Sequence, residues 1–371
     1  MTRVTLRKYT GQFPMTKNLL VFITGSLSFL EMGCLHPKIG PQSLPRDRAA
    51  YSSGLADSWK EQTLLNIVKL RYIDAPTFVD ISSITTGYSL TQTASVGAQV
   101  NTPAGATQEN LGVAAALGYT PTITYSPLTG SAFIQGLLTP LPPTLVFGAI
   151  QNGVPADLIL LSVVISINGV KNQQTTLNGI TPSDPDFERL RALLRKIQIS
   201  GGVRTYVKPN PNGPATIVAL RKADIAPEIV EDIRELRGLL KLNPDAEEFT
   251  IVQAPVSSSD TEIAMMTRSV ISVMQNMAAD VEVPAEDLAK TRAFPGYEKD
   301  QGASDKRMIR IHSSKQKSPD AFVSVNYRNT WFWIDDSDLR SKQVFLQLMN
   351  LFSMADTAPR AAAPVVTIPA R

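Results

Sequence analysis

The sequence predicts an α+β protein of mixed α/β content, with an N-terminal helix, a low-charge β-hairpin region, and then helices packed on a mostly antiparallel sheet. Three observations predict it. The ninety residues from Ile81 to Val170 hold only two charged side chains, Glu109 and Asp157, although the chain of 371 residues carries 36 basic and 33 acidic ones. Within that stretch apolar residues recur at a period of two, the period of a strand with one apolar face. Beyond it, amphipathic helical patterns alternate with short β-prone runs bounded by turn residues.

In chain order, Pro37, Gly40, Pro41 and Pro45 mark residues 34–48 as a tether. A helix is expected from Arg48 to Tyr72, with Leu55, Trp59, Leu64, Ile67, Val68 and Arg71 near one face and Ala75-Pro76 as its stop. Thr77 to Ile84 alternates as a strand and leads into the low-charge stretch. There one face carries Leu90, Gln92, Ala94, Val96, Ala98 and Val100, and the other Thr91, Thr93, Ser95, Gly97 and Gln99. After the breaker-rich turn Asn101–Asn110, Leu111, Val113, Ala115, Leu117 and Tyr119 alternate with Gly112, Ala114, Ala116 and Gly118. The two arms form a hairpin. Each is close to the roughly 9 to 11 residues that a tilted strand needs to cross a bilayer. Two strands cannot close a barrel, so a membrane role requires several copies, whereas a soluble role requires one face to lie on a core.

Thr122–Ser126 is short and β-prone, Leu128–Leu138 a brief helix, and Pro143–Gln151 a helix stopped by Asn152-Gly153. Leu158–Ile167, ten residues with two serines among apolar side chains, is expected as a fully buried strand. Amphipathic helices follow at Ser183–Ile199 and Pro227–Leu242. Val203–Lys208 and Ala215–Leu220 make a hairpin, and Phe249–Gln253 a strand. Ser259-Asp-Thr-Glu262 has the form of a capping box and is expected to open a helix with Met266, Val270, Met274 and Met277 on one stripe. Phe294–Lys306 is a glycine- and charge-rich loop. Strands are expected at Arg307–Ser313 and Ala321–Ile334, the second with Tyr327, Trp331, Phe332 and Trp333 either in a core or in a belt near a membrane. A last helix, capped by Asp336 or Ser337, is expected to turn Leu339, Phe345, Leu348, Met349 and Phe352 inward. This divides the chain into 1–33, a tether 34–48, a helix-plus-hairpin region 49–179, a body 180–356, and an Ala/Pro-rich tail 357–371 whose Val365–Ile368 has the makings of an added edge strand.

The start of the chain has the pattern of a targeting segment. Arg3, Arg7, Lys8 and Lys17 precede an apolar run from Leu19 to Leu30, too short to span a bilayer, and Gly33-Cys34 follows with the only cysteine. These residues resemble a bacterial lipoprotein precursor, with Met15 an alternative start and Glu31 standing where that class carries leucine. The resemblance covers about 35 residues. It implies that Cys34 is lipidated and becomes the mature N-terminus, and that Leu35, not being aspartate, directs the protein to the outer membrane with its body facing the periplasm.

Other chemistry is thinly represented. One cysteine forbids disulfides within the chain and thiolate zinc sites, and two histidines leave little for metal or general-base work. A net charge of +3 without a basic cluster gives no sign of nucleic-acid binding. No nucleophile elbow, phosphate loop or His-Glu-x-x-His occurs. The sequence therefore points away from an enzyme, and no cofactor or metal is expected. The leading expectation is a lipid-anchored envelope protein that associates with copies of itself, lending its hairpin to an outer-membrane pore or ring, with other envelope proteins as further partners. The alternatives are a monomeric lipoprotein acting as scaffold or ligand-binding module, and an unrecognised periplasmic enzyme. In outline the first resembles the curli-export lipoprotein, whose ring subunits each lend strands to a shared barrel, although no motif of that family is present.

Overall fold

The computed structural model describes residues 43–101, 106–128, 131–176, 179–209, 215–220, 226–296 and 307–355. The chain divides into two units, Met1–Ser53 with Thr86–Pro121 and Gly54–Thr85 with Thr122–Arg371. Helix α1 (Leu44–Arg71) starts within the expected tether. The long strands β1 (Val79–Asn101) and β2 (Ala106–Pro127) form a two-stranded sheet of their own. They are longer than expected because Val79–Ile84 of the β-prone run Thr77–Ile84, and all of Thr122–Ser126, are parts of the same two strands.

The second unit has the α+β architecture that the sequence predicts. Helices α2 (Ser131–Leu138), α3 (Pro143–Gln151) and α4 (Ala156–Val163) are followed by β3 (Val164–Ile167), β4 (Val170–Lys171), β5 (Gln174–Thr176) and β6 (Gly179–Thr181). Then come α5 (Pro185–Ile199), β7 (Val203–Lys208), β8 (Ala215–Leu220), α6 (Pro227–Leu239), β9 (Glu248–Val252), β10 (Glu262–Thr267), α7 (Val270–Ala279) and α8 (Ala285–Ala289). The described residues end with β11 (His312–Ser314), β12 (Ala321–Tyr327), β13 (Thr330–Asp335) and α9 (Leu339–Ala355). A six-stranded sheet runs β4-β3-β10-β9-β8-β7, with the β9–β10 pair parallel and the other pairs antiparallel. The expected boundary at residue 180 falls between strands of this one sheet, so residues on both sides of it share a core. Phe147 of α3, Leu190 and Leu194 of α5 and Leu236 of α6 meet Val218, Leu220 and Ile263 of the sheet around a small apolar gap. Each such side chain, when fully buried, is worth about 1.5–3 kcal/mol.

Five expectations are corrected by the structure, the first being that the strand expected at Arg307–Ser313 forms only from His312, as β11. Leu158–Ile167 is not one strand: its first six residues complete α4 and only its last four form β3. A short apolar run fits either element. The helix is able to end inside the core because its terminal carbonyls have partners: the fully buried Arg268 donates to Leu161 O (2.8 Å) and Ser162 O (3.0 Å), and Asn172 Nδ2 to Leu161 O (3.0 Å) and Val164 O (2.7 Å). Ser259–Glu262 does not open a helix. Glu262 begins β10, and its carboxylate accepts from the backbone N–H (3.0 Å) and hydroxyl (2.6 Å) of Ser258, closing a turn instead. Helix α7 starts at Val270, where the Ser269 hydroxyl accepts from Ser272 N. The expected strand Ala321–Ile334 is a hairpin. Arg328 and Asn329 take φ of 50° and 60°, the geometry of a tight two-residue turn. Finally Leu339 is 74% exposed, because the true cap is Asp338, which accepts from Ser341 N at 3.0 Å. Phe345, Leu348, Met349 and Phe352 do face the core, as does Phe332, while Trp331 and Trp333 on the alternate face are half-buried.

Candidate functional site

All ten hairpin positions singled out by the sequence lie on the two long strands, with Leu90, Ala94, Val96, Ala98 and Val100 on β1 and Leu111, Val113, Ala115, Leu117 and Tyr119 on β2. Their side chains lie outside the described residues, as do Cys34, the whole leader, the loop 297–306 and Val365–Ile368. What the structure resolves in side-chain detail is the root from which the hairpin grows.

That root is gripped by α1. Gln62 and Asn66, one helical turn apart, each bond both backbone groups of one extended residue. Gln62 takes Val79 N at 2.6 Å and gives to Val79 O at 3.1 Å; Asn66 takes Thr77 N at 2.9 Å and gives to Thr77 O at 2.8 Å. Two amides thus act as a neighbouring strand would, satisfying backbone that otherwise has no ladder partner. Between these residues Phe78 packs its ring 5.4 Å from Phe133 and 5.2 Å from Phe352, and its carbonyl accepts from Leu128 N at 2.9 Å. A cavity of about 190 Å³ opens beside this contact, lined by Leu55, Trp59 and Gln62 of α1 and by the run Phe78–Ile81, Asp80 included. Leu55 and Trp59 were expected on the inward face of the helix. They are 37% and 39% exposed because they face this cavity.

Further up the hairpin an added Cβ at Gly87 would stand 3.0 Å from the Thr120 hydroxyl, which donates to Gly87 O at 3.4 Å, so β1 and β2 run side by side there.

The end of α1 is tied down by charge. Arg71 is buried, lies over the Phe294 ring at 4.7 Å and donates to Ala279 O at 3.3 Å, and burial brings its pKa down to about 10 despite Asp280 and Tyr72 nearby. Asp280 is buried too. Its Oδ2 accepts from Met308 N (2.8 Å) and Ile309 N (3.1 Å), and burial pushes it up to about 7 against those bonds and against Arg307 and Arg71. The Tyr72 hydroxyl donates to Asp287 at 2.8 Å, and burial together with that carboxylate raises the phenol. Burial alone would raise Asp287, but the bonds from Tyr72 and Arg292 hold it below the usual carboxylate range. Tyr327 donates to Asp74 at 2.7 Å.

None of these anchors was named as a site from the sequence, since Arg71 and Ala279 stand 208 residues apart. The one available signal was the spacing of Gln62 and Asn66, two amides four residues apart beside the apolar stripe of α1. Among the described residues, no helix is long and apolar enough to cross a membrane and no cluster of His, Cys, Asp and Glu is arranged to hold a metal. In comparisons with known proteins, the chain matches no family model, no curated protein and no solved structure.

Proposed function

We propose that this chain is a lipid-anchored protein of the cell envelope, held at the outer membrane through Cys34 with its body facing the periplasm, and that copies assemble so that each lends its hairpin to a shared pore or ring. The observation that carries the reading is the hairpin. Its strands of 23 and 22 residues pair only with each other among the described residues and contain one charged residue each, Asp80 and Glu109. An isolated two-stranded ribbon is marginally stable in water, and its two open edges invite the edges of other copies. Along each strand the sequence alternates apolar residues with Thr, Ser, Gly and Ala, the alternation of a barrel wall between lipid and water.

Two measurements test it. Detergent-extracted mature protein should run as a particle several times the mass of one chain; a stable monomer would favour the scaffold alternative. Single cysteines at Val96 and Val113, with Cys34 blocked by its lipid, should react with a bilayer-confined thiol probe and resist a polar one. Cysteines at Ser95 and Ala114 should do the reverse, and protection of all four from both probes would remove the pore reading.

A further inference from the structure

We infer that the outward face of the three-stranded sheet β11-β13-β12 is a glycan-binding platform, with Trp331 and Trp333 as stacking surfaces for sugar units of a linear β-linked chain. Strand pairing fixes the face. His312 and Ser324 flank Trp333 from its two sides, and Ser314 and Asn326 flank Trp331, in two rows that cross all three strands. The alternate residues Val323, Val325, Phe332 and Ile334 are buried in the core, so the two rows are turned away from it. Both indoles are half-buried and Asn326 is exposed. Standing two residues apart on one strand, the rings are rooted about 7 Å from each other, a spacing comparable with the repeat of an extended chain of pyranoses.

The surroundings of the rings select the ligand. The two rows hold no aliphatic side chain, which a buried protein interface would require, and beside the indoles they offer hydroxyl, amide and imidazole groups that both donate and accept. Neither the indole N–H groups nor the Asn326 amide has a partner among the described residues. Charge is balanced here: Lys317 lies over the Trp331 ring at 5.3 Å, Asp335 ends the same face of β13, and His312 stands 3.5 Å from Glu282. A membrane belt or a nucleic-acid platform would set its rings among uncompensated lysines and arginines. An uncharged sugar fits better, because the C–H bonds on its face suit the negative face of an indole while the hydroxyls at its edge reach the flanking polar groups. Lys317 is exposed, and a ligand stacked on Trp331 displaces it from the ring.

The test is titration calorimetry on the full-length protein in detergent, with the neutral β-linked tetrasaccharide chitotetraose as the probe. The wild type should bind it, and should bind single N-acetylglucosamine far more weakly, since a lone sugar covers only one ring. Trp331→Ala and Trp333→Ala should each weaken binding about tenfold, the loss of one stacking surface. Asn326→Leu, at an exposed position where the fold is not at stake, should weaken it about threefold at an unchanged melting temperature. No binding by the wild type, or the same affinity in the wild type, both tryptophan variants and Asn326→Leu, would overturn the assignment. Vesicle co-sedimentation or self-association that the tryptophan variants lose, with no glycan bound, would give the face to lipid or to a second copy and overturn it as well. The hairpin takes no part in this site, so either negative result leaves the pore reading standing.

Discussion

Arg268 is the largest fully buried side chain among the described residues, and its guanidinium holds the ends of two segments at once: the last turn of α4 through Leu161 O and Ser162 O, and the chain after β4 through Gln173 O. A buried cation is tolerable where several carbonyl dipoles converge on it, as at a helix C-terminus. Arg268→Leu strands those carbonyls in an apolar core, so it should cost about 3 kcal/mol, read as a fall in the urea midpoint with unchanged slope. Asp280 makes a pH prediction. Burial raises its folded-state pKa from 3.8 to about 7, so the folded chain binds a proton that the unfolded chain releases. Its contribution to stability is fully present below about pH 4 and is lost as pH rises through 7. Wild type should therefore gain melting temperature between pH 8 and pH 5, and Asp280→Asn should lack that gain. Asp287 has the opposite sign, being held low, and its contribution disappears only in stronger acid. Gly296 is fixed by space, since a Cβ there would lie 2.3 Å from the backbone oxygen of Ala279 and closer still to the Arg71 guanidinium. Gly296→Ala should lower the melting temperature by several degrees and expose Arg71 to solvent exchange.

At the scale of elements, the amide grip on the hairpin root is separable from the stability of the core. Gln62→Leu and Asn66→Leu each remove two hydrogen bonds to β1 backbone while keeping an apolar body on α1, so each should cost about 1–2 kcal/mol locally. Faster hydrogen exchange confined to residues 77–81 would confirm it, and unchanged exchange there would show that Phe78 packing alone holds the root. The elements also show where sequence is informative. The helices that begin with Pro143 and Pro227, and the hairpin Val203–Lys208 with Ala215–Leu220, were legible at their starts because proline fixes a helix start and alternation fixes a strand, while the helix expected from Ser183 begins two residues later at Pro185. Leu158–Ile167 was not legible. An all-apolar run satisfies both periods, and what decided between them was an arginine about a hundred residues away. Glu262 misled for the complementary reason: the same Ser-to-Glu bond that caps a helix also closes a turn before a strand.

For the molecule as a whole, the division into two units gives a prediction that separates folding from assembly. Among the described residues, every side chain of the hydrophobic core lies outside Thr86–Pro121, in the unit that holds both larger sheets and α2 to α9. The ladder that crosses Thr86–Pro121 joins β1 only to β2, so cutting it at Thr85 and Thr122 and closing the gap with Asn-Gly leaves a short hairpin with a favourable turn. The Phe78–Leu128 bond and the Gln62 grip remain in place below the cut. The shortened chain should express as a folded monomer, melt in one cooperative transition, and keep its melting temperature within a few degrees of the parent monomer. It should also lose the high-mass particle and all conductance, since the missing residues are the ones assigned to lipid and lumen. A shortened chain that still forms the large particle would place the subunit interface in the body. One that fails to fold would mean that the hairpin contributes to the core, which is the soluble-sheet reading of the same alternating sequence.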